Sequence, residues 1–92
     1  MREENVEIFS DSTNAAVMRH PGRRFPGILI QGDALYSMCQ QADFIAQKMG
    51  RETPGYEDLN DLRNQLWSLL NRYKAVLVEH RVEMPFSELP RM

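Results

Sequence analysis

The chain lacks most of the features around which catalytic and membrane proteins are built. Cys39 is its one cysteine, so no disulfide can form within the chain, and a reducing compartment is the expectation. No apolar run approaches the roughly 20 residues that a membrane span needs. Met1-Arg2-Glu3-Glu4-Asn5 is acidic and carries no apolar segment of signal-peptide length. The expectation is a cytoplasmic protein with no membrane partner. Histidine is scarce too. His20 and His80 stand far apart, and neither has a His or Cys near it at ligand spacing, so no metal is expected. Gly27 and Gly32 do not match the Walker or dinucleotide-binding spacing, so no phosphate loop and no cofactor are expected. Neither charge is in large excess: a net charge of −2 gives no general pull toward nucleic acid or an anionic membrane. The 92 residues contain no repeat, low-complexity tract or domain linker, which points to one domain with one modest core.

What is present is organised around Phe25-Pro26-Gly27-Ile28-Leu29-Ile30-Gln31-Gly32-Asp33. Ile28–Ile30 reads as a short buried strand. Gly32 allows a sharp change of direction into a helix whose free first-turn N–H groups have an acceptor in Asp33. Upstream, Val6 and Ile8 alternate with Glu7 as in a half-buried strand. Ser10–Asn14 is a turn cluster. Ala15–His20 makes a second strand, antiparallel to the first, whose buried face the pattern does not choose. Pro21–Gly27 cannot continue a strand and reads as a loop, with Phe25 folded back onto the core.

A first helix is expected over Asp33–Met49, because Leu35, Met38, Cys39, Ala42, Ile45, Ala46 and Met49 recur at three- and four-residue steps. Gly50 is placed to end it in a left-handed C-cap. Thr53 can cap a second helix, with Pro54 in its first position, and that helix runs to about Arg81. Leu59, Leu62, Leu66, Leu69, Leu70, Tyr73, Val76 and Leu77 mark its apolar side. Its acids (Glu57, Asp58, Asp61) come early and its bases (Arg72, Lys74, Arg81) late, as the helix dipole favours. Trp67 widens the apolar arc to roughly half the circumference. Residues 82–92 form a tail in which Val82, Met84 and Phe86 cover one end of the core and the last few residues are mobile. The fold class is α+β: a small antiparallel sheet of two to three N-terminal strands packed against a two-helix antiparallel hairpin.

The order strand, strand, Phe25-Pro26-Gly27, strand, Gln31-Gly32-Asp33, helix resembles the N-terminal half of HicB-type antitoxins over roughly Val6 to Met49. That family usually continues with a strand and often a DNA-binding module, where this chain has a long helix. The whole chain is also similar to a family of small bacterial proteins of unknown function. The shared pattern is Asn14-Ala15-Ala16-Val17, Pro21-Gly22-Arg23-Arg24-Phe25-Pro26-Gly27 and Gln31-Gly32-Asp33. This second likeness implies no activity.

Candidate chemistry is thin. Cys39 lies within an apolar stripe, where an inert buried thiol is expected. The acids Glu57, Asp58 and Asp61 are explained by the dipole of the helix they open. Arg19, His20, Arg23, Arg24 and Phe25 form a possible partner-binding loop, since clustered arginine beside an aromatic can hold phosphates or stack on bases. Phe44 falls nearly opposite the apolar stripe of the first helix, and Trp67, Leu70 and Leu77 face away from the main stripe of the second. These four residues form a possible dimer surface. The alternative is that Trp67 caps the intramolecular core and Phe44 is simply exposed. The leading functional expectation is a non-enzymatic interaction protein, self-associating as a homodimer or binding another protein. The alternatives are a small nucleic-acid-binding or antitoxin-like regulator using the Arg19–Phe25 loop, and an enzyme with a site shared between subunits.

Overall fold

The computed structural model describes residues 1–87. The mobility expected of the last few residues falls outside that range. The chain divides into two compact units, Met1–Gln31 and Gly32–Met92.

The N-terminal unit is a three-stranded antiparallel sheet in the order β1-β2-β3. Its strands are β1 (Glu7–Ser10), β2 (Ala15–Arg19) and β3 (Gly27–Ile30). The polar cluster after Ser10 turns the chain, with the Thr13 hydroxyl bonded to the Ala15 carbonyl at 3.1 Å. The second turn uses Gly22 at φ 82, a left-handed conformation that costs glycine little. There the Arg23 N–H donates to the His20 carbonyl at 3.1 Å. Glu7 pairs with Arg19 and Ile8 with Met18, and the register then shifts between Ile8 and Ser10. Ala15, Ala16, Val17 and Met18 pair with Ile30, Leu29, Ile28 and Gly27.

No residue of Met1–Gln31 is buried. Ile28, Leu29 and Ile30, expected to form a buried strand, are 65, 50 and 43% exposed. A continuous apolar run suits a strand covered on both faces and flanked on both sides, but β3 is an edge strand with one neighbour. Phe25 likewise does not fold onto a core. It is exposed, and the Arg24 guanidinium lies 5.2 Å from its ring centroid. The unresolved choice of buried face for β2 has a simple answer: Ala16, Val17, Met18 and Arg19 are all half-buried.

The second unit is a helical pair, α1 (Gly32–Lys48) and α2 (Tyr56–Glu79). Leu35 meets Leu70 in the core, while Asp43, further along α1, meets Trp67, earlier in α2. The helices therefore run antiparallel. The core consists of Leu35, Cys39, Ala42 and Ala46 from α1 and Leu70 from α2. Tyr36, Leu66, Trp67, Tyr73 and Phe86 pack around it. Phe86 reaches back from the tail to stack on Tyr36, with ring centroids 4.4 Å apart and planes 2° from parallel. Phe86 thus covers the core as expected, whereas Val82, expected beside it, is 54% exposed; Tyr36 gains a role its position off the apolar stripe did not suggest.

Several local expectations are corrected. Gly32 is wanted for space, since a β-carbon there would collide with the phenolic end of the Tyr73 side chain. Asp33 behaves as expected: it stands in the first turn of α1, where its Oδ1 accepts the Ala34 N–H at 2.9 Å. The left-handed glycine of the interhelical loop is Gly55, at φ 89, in place of Gly50. It is also the N-cap of α2, so the helix opens at Tyr56, two residues after the expected Pro54, with no side-chain cap. Arg81 falls beyond the end of α2, whose last turn carries no base. The buried faces of both helices differ from the expected ones as well. Ile45, Leu62 and Leu69 were expected in the core and are exposed, whereas Asp43 is buried. The buried side follows Cys39, Asp43 and Ala46, because the Asp43 carboxylate finds a donor across the interface and its burial is compensated.

Candidate functional site

The basic loop is largely occupied by its own sheet. Arg19 closes β2, and its guanidinium grips Glu7 across the strands, Nε to Oε1 at 3.1 Å and Nη2 to Oε2 at 2.6 Å. Such a two-bond fork is a strong form of ion pair. The bond from Arg19 holds the Glu7 carboxyl below its ordinary range; desolvation opposes this and Coulomb attraction adds to it. The same bond raises the affinity of Arg19 for its proton. Arg19 also donates to the Arg24 carbonyl at 3.3 Å and lies 5.6 Å from the Phe9 ring centroid. His20 Nδ1 is 2.9 Å from the Pro21 carbonyl. Of the five loop residues, then, Arg19 and His20 serve the turn, Arg24 pairs with Phe25, and Arg23 holds the turn through its backbone.

The proposed dimer residues divide differently. Leu70 is fully buried in the intramolecular core, a correction to its expected outward position. Trp67 is half-buried, and its indole N–H donates to Asp43 Oδ1 at 3.0 Å. Lys74 approaches its ring at 5.8 Å. Leu77 is half-buried. Phe44 is exposed, with the Lys48 ammonium 4.3 Å from its ring centroid. The four therefore do not form one patch. A different set does: Leu62, Leu69 and Val76, 51, 57 and 43% exposed, recur every seventh residue. Successive members drift only about 20° round the helix. This stripe flanks the core side of α2, next to the half-buried Leu66 and Tyr73. Its spacing was visible in the sequence, but hydropathy alone assigned these leucines to the core.

The buried polar group that pattern reading missed is Asp43, 7% exposed. Besides Trp67 it faces Arg63, whose Nη1 lies 3.8 Å away, while Arg63 Nη2 donates to Asn60 Oδ1 at 2.8 Å. One carboxylate of α1 thus faces Trp67 and Arg63 of α2. Cys39, one turn before Asp43, is a fully buried thiol. Glu57, Asp58 and Asp61 are exposed on the first turns of α2. Among the described residues no three His, Cys, Asp or Glu side chains converge as ion ligands, and no helix is long and apolar enough to cross a membrane.

A family model for a family of unknown function, DUF6959, matches residues 1–86. The chain belongs to that family. The membership agrees with the likeness to uncharacterised proteins and adds no activity. No curated protein and no solved structure matches the chain, so the partial likeness to HicB-type antitoxins gains no support.

Proposed function

We propose that this DUF6959 chain is a non-enzymatic interaction protein that self-associates as a homodimer through its helical unit. The observation that carries the reading is the stripe Leu62, Leu69 and Val76, left in water along one side of α2. Burying apolar surface contributes about 25 cal/mol per Å² before the costs of association are counted. A two-fold contact sets the same stripe on both chains, the commonest solution for a small oligomer. The disposition of the basic loop favours this over nucleic-acid binding, since Arg19 is already committed to Glu7. A cytoplasmic setting suits a chain with a single thiol.

Sedimentation equilibrium at micromolar concentration is the test. A species of twice 10.7 kDa is expected, and Leu69→Lys should weaken the association by about tenfold or more, because a desolvated charge would face its own copy. A single species at the monomer mass, or an unchanged association constant in Leu69→Lys, would remove the helical contact from consideration.

A further inference from the structure

The two edges of the sheet are built in opposite ways. The β1 edge is guarded: it carries Glu7 and a register shift between Ile8 and Ser10. Charges and bulges of this kind keep an edge from pairing with another strand. The β3 edge has neither. From Phe25 to Gln31 it holds no charged residue, its pairing with β2 is regular through four consecutive residue pairs, and Ile28, Leu29 and Ile30 are exposed. Every second residue of an edge strand also turns its N–H and C=O away from the sheet. A strand that is apolar on both faces resembles an interior strand with one neighbour missing.

We infer that the missing neighbour is β3 of a second copy, paired antiparallel so that two three-stranded sheets join into one. The contact uses a surface separate from the helical stripe and would join helical dimers into larger assemblies at higher concentration. A two-fold contact sets the central residue against its own copy and every other residue against one reflected through that centre, so a charged edge would bring like charges of the two copies close together. β3 is free of charge where β1 is not. The register follows from the residues. Centring the two-fold on Leu29 sets Ile28 opposite Ile30 of the other copy. The β2 register already places Val17 beside Ile28 and Ala15 beside Ile30, so the apolar row would run unbroken from one β2 to the other. Centring on Ile28 would instead bring Pro26, which has no N–H to give, into the ladder.

The test is a charge exchange at the centre. Leu29→Lys and Leu29→Glu, each made in a chain whose helical contact is silenced by Leu69→Lys, should each weaken the remaining self-association about tenfold or more, from like charges juxtaposed across the two-fold. An equimolar mixture should recover a mixed dimer. The Leu69→Lys chain with Leu29 unaltered is the reference for these variants, and its own comparison with the natural sequence reads the helical contact, so the two surfaces fail or stand separately. Amide hydrogen exchange on the unaltered chain is the second measurement, immune to any loss of folding in the variants. Alternate amides of Gly27–Ile30 should become protected as concentration rises. Rates independent of concentration, unchanged association in both Leu29 variants, or no recovery on mixing folded variants would overturn the inference. So would protection that appears only with an added, unrelated extended peptide.

Discussion

Asp43 is the one buried charged residue among the described residues. Its carboxylate is nearly dry yet faces the Trp67 N–H and the Arg63 guanidinium. Removing a buried partner costs more than the net worth of the bond, because the group left behind has lost its water. Asp43→Ala should therefore destabilise the chain by about 1–3 kcal/mol, and Asp43→Asn, which keeps an acceptor, by less. Denaturant melts at low protein concentration measure both. A loss under about 0.5 kcal/mol for Asp43→Ala would mean that water already satisfies the indole. This residue was not legible in the sequence. A reading that ranks side chains by hydropathy sends an aspartate outward, and only the position of Trp67 on the opposing helix reverses the balance.

Elements were more legible than their faces. The strand–turn–strand–turn–strand order and both helices follow from chemistry local in sequence: the turn formers of Ser10–Asn14, the prolines and glycines of Pro21–Gly27, and the three-four periodicity thereafter. Which side of a helix is buried depends on the shape of its neighbour, and there the pattern misled. Leu69 and Leu70 are adjacent and equally apolar, but one is exposed and the other has no accessible surface. Leu70→Ala should cost about 2–5 kcal/mol, and Leu69→Ala less than about 1 kcal/mol in dilute solution. Equal losses would place the face wrongly. The β1–β2 pairing carries a pH dependence of known sign. The carboxyl of Glu7 is held down by Arg19, so the charged form is favoured in the fold. The contribution is present above the ordinary glutamate range and is lost as pH falls through the lowered folded value. A chemical-shift titration of Glu7 should show its midpoint below that range and a return upward in Arg19→Ala; identical midpoints would mean that the fork does not persist in solution.

At the scale of the molecule, the α+β class and the three-stranded antiparallel sheet were readable from the chain, because class depends on the order of elements and on little else. The exposed surfaces were not, since exposure belongs to the folded chain and not to any window of it. The sheet unit has no buried residue and the helical unit keeps a wet apolar stripe. The arrangement of Trp67 has a practical consequence. It is the only tryptophan in the chain, and its indole is tied to Asp43 within the helical unit. Intrinsic fluorescence therefore watches the helical pair and is blind to the strands. A melt followed by emission and one followed by a label placed on β3 would be reporting on different halves of the protein, and the gap between their midpoints would measure how tightly the two halves are thermodynamically coupled.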